Sequence, residues 1–210
     1  GLCGGITLIV GIAYLLGYPT SESVMFPVFE TRYLLLLLGA TAGFLVYNVH
    51  PARIFLGDSG SLLIGLSFAV VTLGFEGEAR VEASLLSIVG PPVLVMLIPI
   101  MDTVLVTFSR IMSGRSASTG GRDHSSHRLV AIGLSERAAV SVLWVLAALA
   151  GGASLAVAKL DETWSVLIVV VSLLMIIVFV VYLANVSVYD DAEAQELGQQ
   201  GKITPIVPAF

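Results

Sequence analysis

Two stretches of this 210-residue chain hold residue types that can do chemistry. The first runs Asn48-Val-His-Pro-Ala-Arg-Ile-Phe-Leu-Gly-Asp-Ser-Gly-Ser61. Gly57 and Gly60 flank Asp58 at the start of an apolar segment. In the plainest reading Asp58 caps a helix, which aspartate does well. A helix N-terminus with small neighbours also suits phosphate. A bare carboxylate there would repel phosphate. A hard cation such as Mg²⁺, which takes one or two carboxylates plus substrate phosphates, turns that repulsion into bridging. Phe55 and Asn48 could supply a stacking face and an amide for a nucleobase.

The second stretch is Gly120-Gly-Arg-Asp-His-Ser-Ser-His-Arg-Leu129. A helix beginning after Asp123 would carry His124, His127 and Arg128 at i, i+3 and i+4, on one face. Asp123 would be its N-cap. A zinc site of the His-Glu-x-x-His kind needs a glutamate and a third ligand that this stretch lacks. Anion binding is the better chemistry: imidazole N–H groups and guanidinium forks converge well on a diphosphate. Arg110, Arg115 and Arg122 add positive field nearby. The plain alternative is a solvated loop. Asp102 is a third candidate, because an ionisable residue inside an apolar span is functional by default unless it snorkels to the interface.

The elements that must position these residues are membrane helices. The chain is 57% hydrophobic and only 12% charged, with a mean hydropathy of +0.98. Soluble domains carry about a quarter charged residues, so an ordinary soluble domain is excluded, and so is disorder. A net charge of −5 argues against a nucleic-acid partner. A single cysteine, Cys3, rules out a disulfide framework and a cysteine zinc site. The chain begins at Gly1 with neither methionine nor signal-peptide features, so it is expected to continue a longer protein.

Six continuous apolar runs are candidate spans: Leu2 to Leu16, Tyr33 to Tyr47, Ser61 to Phe75, Ala83 to Phe108, Ala138 to Ala158 and Trp164 to Ala184. The fourth holds Pro91, Pro92 and Pro99 and is expected to be kinked rather than broken. A β-barrel would instead alternate apolar and polar residues. The expected fold is therefore all-α: a polytopic membrane protein with about six transmembrane helices, part of a larger helical bundle. Residues 1–184 form the membrane domain, with polar loops at 48–60 and 109–137, and residues 185–210 form a polar tail.

Six arginines (Arg53, Arg110, Arg115, Arg122, Arg128, Arg137) fall in the loops on one side, against Arg32, Arg80 and Lys159 on the other. The positive-inside rule puts the richer side in the cytoplasm. Asp58 and all three histidines, His50, His124 and His127, lie there.

With these motifs in place, the chain resembles the polyprenyl-phosphate N-acetylhexosamine-1-phosphate transferases. Asn48, Pro51, Ala52, Phe55, Gly57, Asp58, Gly60 and Ser61 match that family's Asn-x-x-Pro-Ala-x-x-Phe-x-Gly-Asp-x-Gly-Ser signature. Pro99 to Asp102 matches its Pro-x-x-Asp, and Gly1 to Gly4 looks like the end of its Asp-Gly-Leu-x-Gly motif. Arg110, Gly114, Arg115 and Arg122 to Leu129 match its basic, histidine-containing loop. Ser126 stands where the MurNAc-pentapeptide branch usually has histidine, which favours the GlcNAc-1-phosphate branch. Gly-Asp-Ser-Gly also occurs in trypsin-like proteases, but those are double β-barrels and do not suit this chain.

The resemblance implies transfer of GlcNAc-1-phosphate from a UDP-N-acetylhexosamine to a polyprenyl (undecaprenyl) phosphate, with release of UMP, at the cytoplasmic face of the plasma membrane. Asp58 would be the Mg²⁺ ligand, with Mn²⁺ as a substitute, and Asp58, His124 and His127 would be catalytic. Asn48, Phe55, Arg115, Arg122 and Arg128 would bind substrate. The partners would be the two substrates, the bilayer and a second copy of the chain, with no nucleic acid. The rivals are a phospho-MurNAc-pentapeptide transferase, a transporter using Asp102 as an ion site, and an inactive or regulatory protein.

Overall fold

The computed structural model describes residues 1–17, 25–76, 85–114 and 123–186, and every regular element among them is a helix. In chain order these are α1 (Leu2–Gly17), α2 (Met25–Asn48), α3 (Gly57–Glu76), α4 (Leu85–Val95), α5 (Leu97–Met112), α6 (Ser125–Ala131), α7 (Glu136–Val157) and α8 (Glu162–Ala184). The protein is an all-α membrane protein. Helices Phe29–Asn48, Glu136–Val157 and Glu162–Ala184 are each long and apolar enough to cross a bilayer. The α4–α5 pair qualifies as one broken span, and α1 and α3 are shorter apolar helices. The six apolar runs thus reappear in order.

The fourth span departs from the kinked helix expected of it. Helix α4 ends at Val95 and α5 begins at Leu97. The Met96 N–H still donates to the Pro92 carbonyl (3.1 Å). One turn on, Pro99 offers no N–H to the Val95 carbonyl, and its ring crowds that carbonyl. The helix breaks between the two prolines.

The chain divides into two compact units. Unit one comprises Gly1–Leu97 and Val140–Ser172. Its core gathers Val10, Ala13, Tyr14, Leu34, Leu38, Phe68, Val71 and Val95. The Tyr14 ring stacks on Phe68 with centroids 5.9 Å apart, and its hydroxyl pairs with Thr72 Oγ1. Lipid tails are as apolar as leucine, so packing of this kind depends on close approach and on polar pairs. Gly5 supplies the first: a Cβ there would fall 2.1 Å from the Trp144 ring. Ser154 supplies the second, its hydroxyl donating to the Pro91 carbonyl (2.8 Å).

Unit two comprises Ile98–Ala139 and Leu173–Phe210. Met101, Leu105, Val106, Leu129 and Leu183 are buried in it, together with the charged Arg110, Asp123 and Arg128. Helix α8 is the most lipid-suited element. Val170, Leu174, Ile177, Val178 and Val181 are all exposed on it, a surface that only hydrocarbon solvates cheaply.

Candidate functional site

The Asn48–Ser61 stretch closes as a tight loop between α2 and α3, in unit one. Asn48 ends α2 and is buried. Its Nδ2 donates to the Ile54 carbonyl (2.7 Å), and the Arg53 N–H donates to the Tyr47 carbonyl (2.8 Å). The Asn48 amide therefore folds the loop back on the helix end. This corrects the expectation that it faces a nucleobase. Phe55, in contrast, is 82% exposed, as a stacking surface would be.

Gly57 opens α3 with φ +68°, a left-handed conformation that costs other L-residues about 1–2 kcal/mol. A Cβ there would meet nothing within 4 Å, so the cost of substitution is purely backbone. Gly57→Ala is expected to destabilise the full-length protein by about 1 kcal/mol, read as a lower unfolding midpoint in detergent. Gly57 turns the chain so that Asp58 falls in the first turn of α3 rather than at its cap. Asp58 is exposed. The Ser61 hydroxyl donates to its backbone carbonyl (2.9 Å).

The carboxylate thus stands at the positive end of a helix, in water, next to an exposed aromatic ring. Among the described residues no three His, Cys, Asp or Glu side chains converge. A hard divalent cation fits this donor set only as one carboxylate plus oxygens that arrive with a substrate, the usual magnesium arrangement.

The second stretch belongs to unit two. Helix α6 begins at Ser125, and its N-cap is His124, in extended conformation (φ −65°, ψ 153°) with no cap bond of its own. The cap comes from α5. Asp102 Oδ1 accepts the Ser125 N–H (2.7 Å), and Oδ2 lies 2.8 Å from His124 Nδ1. A carboxylate can only accept, so Nδ1 donates and the ring is pinned with Nε2 turned away from Asp102. Asp102 neither snorkels nor serves as an isolated ion site.

Asp123 is not the cap expected of it. It is buried and forms an ion pair with Arg110 Nε (2.9 Å), two charges that share the cost of burial. Arg128 is also buried. Its Nε donates to the Asp123 carbonyl (3.0 Å) and its Nη2 to Ser109 Oγ (2.6 Å). Its Nη1 reaches the carbonyls of Leu183 (2.8 Å), Ala184 (3.3 Å) and Val186 (3.0 Å). The guanidinium closes the C-terminus of α8, where carbonyls lack intrahelical donors. The single face expected of His124, His127 and Arg128 is therefore split. The histidines are exposed and the arginine points inward. Arg115 and Arg122 lie outside the described residues. The roles of Asp102, Ser109 and Ser125 as partners have no signal in sequence spacing, since tertiary packing joins them between α5 and α6.

The hydrogen bond to Asp102 raises the pKa of His124 above the ordinary 6.5; partial burial opposes this, the Asp102 charge adds to it, Arg110 opposes and Asp123 supports. A raised folded-state pKa makes the contribution of the pair complete below the free value. That contribution is lost as pH rises through the folded-state pKa. Hydrogen exchange of residues 123–131 in the full-length protein is therefore expected to show more protection at pH 6 than at pH 9, after correction for intrinsic rates. In Asp102→Asn that difference is expected to vanish.

Known proteins are similar in sequence to parts of this chain. Residues 1–76 match Glycosyl transferase family 4. A probable undecaprenyl-phosphate N-acetylglucosaminyl 1-phosphate transferase of Bacillus subtilis is 39% identical over 112 residues, 53% of this chain and 30% of that protein. A decaprenyl-phosphate N-acetylglucosaminephosphotransferase of Mycobacterium tuberculosis is 42% identical over 127 residues, 56% of this chain and 31% of that protein. A phospho-N-acetylmuramoyl-pentapeptide-transferase of Moorella thermoacetica is more distant, 34% identical over 155 residues, 72% of this chain and 44% of that protein. The chain spans less than half the length of each of these relatives. No solved structure matches it. The signature around Asp58, the helical membrane fold and these likenesses agree: residues 1–76 of the chain belong to glycosyl transferase family 4.

Proposed function

We propose that the protein carrying this chain transfers GlcNAc-1-phosphate from UDP-GlcNAc to a polyprenyl phosphate, at the cytoplasmic face of the plasma membrane. An oxygen of the lipid phosphate attacks the sugar-linked phosphorus. A new P–O bond forms, and the bond from that phosphorus to the bridging oxygen breaks. UMP leaves with the electron pair, and the sugar stays on a polyprenyl diphosphate. Such chemistry is mostly positioning and neutralisation of charge.

The observation that carries the reading is the Asn48–Ser61 loop, which holds an exposed carboxylate at a helix start beside an exposed Phe55. Asp58 would hold Mg²⁺, which when bound neutralises diphosphate charge. Phe55 offers a face for the uracil ring. Asn48 acts one step back, by fixing the loop. His124, oriented by Asp102, presents Nε2 as a donor to a phosphate or sugar oxygen when the ring is protonated, the form the Asp102 bond favours, and the exposed His127 lies one turn further on. Arg128 positions this loop rather than touching substrate. A second phosphate pKa near 6 leaves the lipid phosphate largely dianionic at pH 7, so the attack needs little help from a base.

Membrane placement suits both substrates: a prenyl chain belongs in lipid and a nucleotide sugar in water. The test uses the full-length protein in detergent with undecaprenyl phosphate, Mg²⁺ and UDP-GlcNAc. The expected result is UMP release with formation of lipid-linked sugar, abolished by chelation. UMP release only with a UDP-MurNAc-pentapeptide donor would move the protein to the other branch. Silence across a panel of UDP-sugars would overturn the reading.

A further inference from the structure

A cavity of about 220 Å³ opens between α2 and α3, in unit one. Glu30 lines it, near the start of α2. Asn48 and the Asp58 loop are 18 residues further along that helix, about 27 Å at 1.5 Å per residue. The Glu30 end of the cavity is therefore remote from the loop, and the cavity runs inward from there along Val70, Leu66 and Leu63 of α3.

Its walls are hydrocarbon apart from three polar groups. Two of these satisfy each other. Ser67 Oγ donates to the Leu63 carbonyl (2.7 Å), which leaves the Tyr33 hydroxyl to donate to Ser67 (2.8 Å). The third is Glu30, only 8% exposed, whose Oε2 is fully buried without a hydrogen-bond partner. A buried carboxylate oxygen with no donor is costly, and the described residues that line the cavity provide none.

The missing partner has a definable chemistry. A metal ion would require several oxygen ligands, and Glu30 is the one acidic residue among those described as lining the cavity. An organic cation with N–H donors needs only the one carboxylate, and a primary ammonium brings three such donors. Leu63, Leu66 and Val70 line the same cavity and are each more than half exposed. No described residue covers that side, and a face of this kind on a membrane helix suits acyl chains. A helix-end position places Glu30 at headgroup depth, since the hydrocarbon core is about 30 Å thick.

We propose that this cavity seats a phospholipid with a primary ammonium headgroup, its N–H groups on Glu30 and an acyl chain along Leu63, Leu66 and Val70. The site is independent of the transferase reading and rests only on the membrane fold.

The test is native mass spectrometry of the detergent-purified full-length protein, titrated with phosphatidylethanolamine, phosphatidylcholine and phosphatidylglycerol of identical acyl chains. Charge-assisted hydrogen bonds predict about tenfold stronger retention of phosphatidylethanolamine than of the other two. In Glu30→Gln the three are expected to be retained equally. Val70→Trp, which fills the cavity, is expected to lower all three. Stepwise N-methylated phosphatidylethanolamines, tested on the unmodified protein, supply a measurement that depends on no variant. Retention is expected to fall with each lost N–H. Equal retention of the three headgroups by the unmodified protein, or an unchanged preference in Glu30→Gln, would overturn the proposal.

Discussion

Asparagine in place of Asp58 is expected to lower UMP release by the full-length protein at least about a hundredfold, the size of effect seen when a charge-stabilising group is lost from an active site. The fold should survive. The Asp58 carboxylate is exposed, and the bond from Ser61 uses its backbone carbonyl, which asparagine keeps. Loss of one negative charge in the first turn of α3 costs about 0.3–1 kcal/mol through the helix dipole, so the unfolding midpoint falls only slightly. The two readings of Asp58 part here. A residue that merely begins a helix tolerates asparagine in both activity and stability. A residue that holds a cation against a diphosphate loses activity alone. Measuring UMP release and thermal unfolding on the same preparation separates them, and equal, small changes in both would remove Asp58 from the chemistry.

The spans were legible in the sequence because the bilayer imposes one strong rule on them. Continuous apolar runs must satisfy their backbone internally, and each predicted run reappears as a helix or, at Pro99, as a broken pair. The Asp58 motif was equally legible, because glycine at positive φ and an exposed acid are local properties of a short stretch. What sequence did not disclose is where long polar side chains spend their hydrogen bonds. Asn48, Asp102 and Arg128 all read as candidate functional residues by type and position. The structure joins Asn48 to Ile54, Asp102 to the start of α6, and Arg128 to the end of α8. The last two links are made by tertiary packing, one between the consecutive helices α5 and α6 and one from α6 to the distant α8, which periodicity does not encode. The common logic is that a polar group near an apolar span must first satisfy the fold, and only what remains exposed, here the Asp58 carboxylate, the Phe55 ring and the edge of His124 turned from Asp102, is available to a ligand.

Arg128→Met puts that logic to its hardest test. Arg128 is 4% exposed, and its guanidinium serves three carbonyls at the end of α8, the Asp123 carbonyl and the Ser109 hydroxyl. Methionine keeps much of the volume and removes every donor. The Leu183 carbonyl then keeps only the Val186 N–H, the Ala184 and Val186 carbonyls and the Asp123 carbonyl lose the guanidinium, and a favourable cation at a helix C-terminus is lost. The expected cost is about 3–5 kcal/mol, the range for breaking a buried charged network, seen as a large fall in the unfolding midpoint of the full-length protein. Arg128→Lys should fall in between, since a single ammonium keeps the charge but cannot span carbonyls and hydroxyl together. The opposite pattern belongs to a substrate-binding arginine: a stable variant with a raised KM for UDP-GlcNAc. An unchanged midpoint in Arg128→Met together with weakened substrate binding would return Arg128 to the site and reverse its assignment as the residue that closes α8.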